Sequence, residues 1–315
     1  MLNKIKKIVD ELNEGAIGTS SKNTSILSYL KILRPHQWLK NILVFLPMFV
    51  SHQFSELILF QSILAFISFS LISSSAYVLN DLLDISADRM HPRKRFRQFA
   101  SGEISVIHGF WLIPTLLILG LFLGYLVSFD LILLLLSYYL ITIFYSIYLK
   151  QIAIVDICIL AGLYTMRILA GSAATTISLS NLLLAFSIFI FFSLAAFKRQ
   201  VELKDSISRG LMLTIGRGYH IDDLLLVSQM AIVSGYLSTF VLALYVDSIM
   251  AQELYQQPSL LWGVCLVFFY WVNRVAFVTH RGRMPDDPLV FAVKDRISQL
   301  CLLIGFLFVL GATFS

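Results

Sequence analysis

Charge is the scarcest commodity in this chain. Only 14% of its 315 residues are Asp, Glu, Lys or Arg, against about a quarter in soluble globular proteins. Hydrophobic residues make up 58% and the mean hydropathy is +0.81, so a water-soluble domain is excluded and a membrane protein is expected. Cysteine is also rare: Cys158, Cys265 and Cys301 lie inside apolar stretches, and their spacing fits no metal pattern. A continuous apolar leader with a small-residue cleavage site is missing from the first 33 residues, which are mixed and charged, so no signal peptide is expected. The formal charge is +5, but the bases are spread over several loops rather than along one soluble face, which speaks against a nucleic-acid partner.

What is abundant is apolar sequence in span-length blocks. They run at 41–54, 57–79, 106–127, 129–149, 153–175, 180–197, 225–246, 259–279 and 297–314, which predicts nine transmembrane helices in an all-α, polytopic fold. The first block is short and contains Pro47, so a tilt or kink is expected there. Loops near 51–56, 128–130, 176–180 and 247–258 contain no Lys or Arg, whereas the loops near 80–105, 150–152, 198–224 and 280–296 and the N-terminal arm hold nearly all of them. By the positive-inside rule the amino terminus and the charged loops are cytoplasmic and the carboxyl terminus lies across the membrane, in an inner or plasma membrane. The organisation expected is an interfacial arm at 1–33 and one transmembrane domain at 34–315. Within the arm, Ile5, Ile8, Val9 and Leu12 share a helical face beside Lys4, Lys6 and Lys7, followed by a Gly/Ser/Thr linker at 15–25.

The stretch 80–102, NDLLDISADRMHPRKRFRQFASG, is dense in both signs. Asn80, Asp84 and Asp88 are four residues apart, so a helix continuing through them stacks three oxygen-bearing side chains on one face, with Asp81 one step round. Such ligands suit Mg²⁺, a hard cation held by one or two carboxylates plus substrate phosphates. Arg89, Arg93, Lys94, Arg95 and Arg97 follow, and His91-Pro92 breaks the helix so that they can fold back as phosphate ligands. Topology alone also recruits bases to cytoplasmic loops, yet it requires no Asn/Asp ladder.

Other charges interrupt apolar sequence. Before the first span, Arg34-Pro35-His36-Gln37-Trp38-Leu39-Lys40-Asn41 reads as an interfacial anchor or, through Lys40, a phosphate ligand. Asp156 enters the fifth block near its cytoplasmic end, and Arg167 sits eleven residues deeper on much the same face. A charge there costs about 2.5–3.5 kcal/mol on insertion scales, so Arg167 faces a polar cavity or a partner. Ala161, Gly162, Ala170, Gly171, Ser172, Ala173 and Ala174 permit close helix packing or leave room for a lipid chain. After the sixth block, Lys198, Glu202 and Asp205 share a helical face, read either as a second charged patch of the site or as i,i+4 pairs at a helix end. Gly216-Arg217-Gly218-Tyr219 reads as a turn carrying one phosphate ligand.

With these residues in view, the chain resembles the UbiA superfamily of intramembrane prenyltransferases over almost everything after residue 30. The 80–88 ladder is similar to that family's NDxxDxxxD motif. RPHQWLKN at 34–41, DRMHPRKRFR at 88–97, YSIYLK at 145–150, VDICILAGLYTMRILAG at 155–171, KRQVEL at 198–203 and DPLVFAVKDR at 287–296 look like the decaprenyl-phosphate phosphoribosyltransferase branch. That resemblance implies a membrane enzyme that moves 5-phosphoribose from phosphoribosyl diphosphate to a polyprenyl phosphate, with Mg²⁺ as cofactor and homo-oligomerisation possible. It implies Asn80, Asp84 and Asp88 as metal ligands. Asp84, Asp88, Lys94, Arg95 and Lys198 become catalytic residues. Lys40, Asp81, Arg89, Arg93, Tyr145, Lys150, Asp156, Arg167 and Glu202 contact the substrates. Two departures stand out. Aromatic prenyltransferases of the superfamily carry a second aspartate-rich motif where this chain has Lys198-Arg199 with Glu202 and Asp205, and Gln98 replaces a common proline. A prenyltransferase with a prenyl diphosphate donor is the rival enzyme, and a lipid transporter with Arg167 in its path is the rival from another class.

Overall fold

The computed structural model describes residues 26–90, 94–214, 216–285 and 287–314. The expected amphipathic arm at 1–25, the His91-Pro92 break, Arg93 and Asp286 lie outside these residues. Every long element is a helix: α1 Glu56–Leu83, α2 Val106–Tyr125, α3 Phe129–Ile147, α4 Val155–Thr175, α5 Asn181–Ser208, α6 Leu224–Val246, α7 Leu261–His280 and α8 Arg296–Phe314. Serine side chains start three of them, since Ser55, Ser105 and Ser180 accept from the N–H groups of Ile58, Ile107 and Leu183. These eight helices are long and apolar enough to cross a membrane, and their outward Leu, Ile and Phe side chains are exposed, so this is an all-α polytopic membrane protein.

The count corrects the expectation of nine single spans. Among the described residues, the 41–54 block folds as a 3₁₀ segment, Leu39–Phe45, and a five-residue helix, Leu46–Val50. Pro47 supplies no N–H to continue a helical ladder, and the backbone is drawn against a neighbour. A Cβ on Gly171 would lie 1.9 Å from the Val44 carbonyl oxygen, so only glycine admits this approach. Packing, rather than room for a lipid chain, is therefore what the small-residue stripe provides at Gly171. The sixth span is longer than expected: α5 continues past 197 to Ser208 and carries Lys198 to Asp205 as unbroken helix.

The chain divides into two compact units, 26–147 with 166–177, and 148–165 with 178–314, so that α4 contributes its first half to one and its second half to the other. In the first unit α1 packs on α2 and α3 through a run of buried serines. Ser68 Oγ donates to the Gly120 carbonyl (2.6 Å) and Ser75 Oγ to the Ile113 carbonyl (2.9 Å), satisfying hydroxyls that lipid would leave unpaired. Ile32, Val78, Leu82, Ile85, Phe99 and Leu116 form an apolar cluster next to the ladder. In the second unit α5, α6 and α7 pack around Phe197, Leu203, Val227 and Val275, with Tyr219 from the 209–223 loop closing the cluster.

Candidate active site

The ladder lies in the first unit. Helix α1 stops at Leu83, Asp84 adopts φ −103° and ψ 7°, and a short helix resumes over Ile85–Met90. The expected continuous helix is thus broken at its middle rung, with Asp84 as the C-cap of α1. Helical hydrogen bonds bridge the break, from Asp84 N to Asn80 O (3.0 Å) and from Asp88 N to Asp84 O (2.8 Å), so the three rungs keep their four-residue spacing. Asn80 and Asp84 are half-buried, whereas Asp81 and Asp88 are buried.

Two arginines neutralise the buried pair. Arg34 places Nη2 2.5 Å and 2.8 Å from the two carboxylate oxygens of Asp81. Arg97 Nη1 donates to Asp81 Oδ1 (3.1 Å) and to Asp88 Oδ2 (2.7 Å). Arg34 reaches its partner because it sits between the helices Ile26–Ile32 and Pro35–Trp38 with φ 51°, a left-handed turn that Pro35 promotes by disfavouring the α region before it. Of the other expected bases, Arg95 is exposed and stacks on Phe96 (4.8 Å to the ring centroid). Lys94 is exposed in the 3₁₀ turn Lys94–Phe96, and Arg89 Nε donates to the Ala100 carbonyl (3.3 Å). Sequence reasoning passes over Arg34 because no local spacing marks an arginine 47 residues from its aspartate, and it reads Arg97 as a phosphate ligand rather than as the partner of Asp81 and Asp88.

Deeper in the same unit, Arg167 is buried. Its Nε donates to Asn41 Oδ1 (2.9 Å) and its Nη2 to the Tyr138 hydroxyl (3.2 Å), while its guanidinium lies 5.2 Å and 5.3 Å from the ring centroids of Phe69 and Tyr138. Asn41 in turn donates to Ser70 Oγ (2.9 Å). Arg167 therefore ties the 3₁₀ segment carrying half-buried Lys40 to α1 and α3. Tyr145, also half-buried, stands in the last turn of α3.

The second unit holds a separate cluster. Asp156 is wholly buried at the start of α4. Arg199 Nε lies 2.9 Å from one of its oxygens and Arg217 Nη1 2.8 Å from the other. Arg199 also pairs with Glu202, and Arg217 Nε lies 3.8 Å from the same Glu202 carboxylate. The turn bearing Arg217 is pressed onto the 3₁₀ turn Leu149–Gln151, which carries half-buried Lys150. A Cβ on Gly218 would lie 2.1 Å from the Gln151 carbonyl oxygen, and the Tyr219 hydroxyl accepts the Ile154 N–H (2.9 Å). Burial, with Asp156 nearby, pushes that hydroxyl up to about 12 against the opposing Ile154 bond. Lys198 is half-buried and, with Asp287, lines a small pocket walled by Leu160, Tyr164, Leu194 and Leu289. Asp205 makes an exposed pair with Arg209 (2.9 Å). The Asp287 side chain caps the helix Pro288–Lys294, and Arg274 grips Asp295 at its end (2.9 Å and 2.7 Å).

Comparison with known proteins places this geometry. The sequence model of the UbiA prenyltransferase family matches residues 42–294. The nodulation protein NoeC of Azorhizobium caulinodans is 35% identical over 280 residues, covering 88% of this chain and 90% of NoeC. Decaprenyl-phosphate phosphoribosyltransferase of Mycobacterium tuberculosis is 33% identical over 184 residues, 56% of this chain and 61% of that enzyme. A UbiA homologue from Archaeoglobus fulgidus, solved with GPP and Mg²⁺, superposes with a TM-score of 0.67 at 16% identity, over 90% of this chain and 99% of that one. The shared fold, the match across 42–294 and the near full-length relative together mean that this chain belongs to the UbiA prenyltransferase family, the intramembrane transferases of prenyl lipids.

Proposed function

We propose that the protein transfers 5-phosphoribose from phosphoribosyl diphosphate to a polyprenyl phosphate, releasing diphosphate. The observation that carries this reading is the second cluster. At the place of a second aspartate-rich motif, Asp156 and Glu202 are engaged by Arg199 and Arg217, and Lys198 stands beside them. A carboxylate sealed in with its guanidinium partner, as Asp156 is with Arg199, is a poor metal ligand, whereas a cluster that adds arginines and a lysine to its acids suits a donor carrying a phosphate in addition to its diphosphate. The partial likeness to phosphoribosyltransferases supports the same choice.

The ladder fits Mg²⁺ by its donor set. Asn80, Asp84 and Asp88 offer oxygen ligands at kept helical spacing, and a cation that takes one or two carboxylates plus substrate phosphates needs no larger protein cage. Bound there, Mg²⁺ supplies Lewis-acid stabilisation of the diphosphate leaving group. Lys94 and Arg95 add fixed positive charge for the same group, and Arg89 and Arg93 hold a further phosphate. Lys40 orients a phosphate, and Arg167 keeps Lys40 in place through Asn41. Tyr145 and Lys150 offer further polar groups to the substrates. The acceptor phosphate is already anionic at neutral pH, so its oxygen attacks the anomeric carbon without a strong general base.

The test uses purified protein in lipid with Mg²⁺, polyprenyl phosphate and radiolabelled phosphoribosyl diphosphate, next to Asp84→Ala. Label that enters the lipid extract with the wild type and disappears with Asp84→Ala is expected. Turnover of a prenyl diphosphate without labelled lipid overturns the donor assignment, and absence of any diphosphate release from either donor points to transport.

A further inference from the structure

The first unit contains a charge arrangement that the transfer reaction alone does not explain. Asp88, assigned above to the metal, is buried and already bound by Arg97. The two arginines of this network are not equivalent. Arg34 commits one nitrogen to both oxygens of Asp81 and lies 5.5 Å from the Tyr77 ring centroid. Arg97 divides one nitrogen between two carboxylates, is the more solvent-open of the pair (28% against 18%), and follows the exposed turn Lys94–Phe96. A buried carboxylate stripped of its counter-charge is costly, so Arg97 leaves Asp88 as another cation arrives. Once released, its planar guanidinium suits a diphosphate oxygen pair.

We propose that Arg97 is an exchangeable counter-ion: it neutralises Asp88 and Asp81 in the substrate-free protein, and when metal and diphosphate bind it surrenders the carboxylates to the metal and moves to the diphosphate. Metal and diphosphate then bind as a coupled pair, because each supplies the partner that the other's arrival removes. No covalent step is involved. The inference rests on the metal reading of the ladder but not on the identity of the sugar.

The experiment therefore omits both sugar and isoprenoid. Free Mn²⁺ is followed by electron paramagnetic resonance as it is titrated into full-length protein, with and without inorganic diphosphate, against protein-free titrations. In Arg97→Gln, Mn²⁺ alone is expected to bind about tenfold more tightly than in the wild type, and the gain that diphosphate gives to Mn²⁺ binding is expected to shrink by about tenfold. Arg97→Lys keeps a cation in the turn and is expected to fall between the two, which tests the proposal should Arg97→Gln not fold. Unchanged or weaker Mn²⁺ binding in both variants overturns it. An equal gain in Arg34→Gln also overturns it, since general loss of positive charge would then account for the effect. Both arms are independent of the phosphoribosyl assay, so failure of that assay leaves this result interpretable.

Discussion

Arginine meets aspartate in both units, and the two meetings differ in kind. Around Asp156, the carboxylate and Arg199 are 0% and 1% exposed, and Arg217, 19% exposed, arrives on a turn pressed against backbone. Around Asp88, the carboxylate is buried but Arg97 is open to solvent. The same ion pair is a fixed part of the fold where both partners are sealed in, and a replaceable one where only the acid is. Burial of the base, not its distance from the acid, separates the two.

Deleting each acid is the strongest way to break that comparison. Asp156→Ala leaves Arg199 charged and enclosed, and is expected to cost about 3–5 kcal/mol, seen as a large drop in thermal unfolding temperature in detergent. Asp88→Ala, which frees Arg97 to reach water, is expected to cost about 1–2 kcal/mol while abolishing turnover. Equal losses of stability would erase the distinction.

A smaller effect sharpens it. Gly218→Ala forces a methyl group against the Gln151 carbonyl and is expected to cost about 1–3 kcal/mol, with faster proteolysis in the 209–223 loop. Gly162→Ala, whose added methyl meets nothing within 4 Å, is the control and should lose nothing. Stability unchanged in Gly218→Ala would mean that the Arg217 turn is not wedged.

The smallest effect lies at high pH. The Tyr219 hydroxyl is raised from the usual 10 to about 12, first by burial. The folded state thus favours the neutral form, and this contribution is complete below about pH 10 and disappears as pH rises through 12. Alkaline unfolding should be shallower across that window in Tyr219→Phe than in the wild type, and identical curves would detach Tyr219 from the sealed cluster.

How much of this is visible in sequence follows from the range of the interactions. Helices α1 to α8 appear as apolar blocks because lipid imposes length and hydropathy residue by residue. The ladder is legible because four-residue spacing is local. The 41–54 block misleads, since its fold depends on how closely Val44 approaches Gly171, a contact between distant segments that composition does not encode. The end of α5 misleads for a related reason: charge ends an apolar block but not a helix, and Lys198 to Asp205 simply continue it. Arg34 stands out least, and Arg97 stands out as a base but not as the partner of Asp88, because an arginine's partner is selected by the fold.

Arg34 occupies one of the few non-glycine positions with positive φ, and its guanidinium holds Asp81. A search for stabilising substitutions that scores backbone conformation would nominate glycine at 34, because glycine tolerates left-handed geometry that an L side chain resists. That replacement would leave Asp81 with a diminished counter-charge in a nearly closed environment. At this residue, relief of backbone strain and retention of the counter-charge of Asp81 recommend opposite changes.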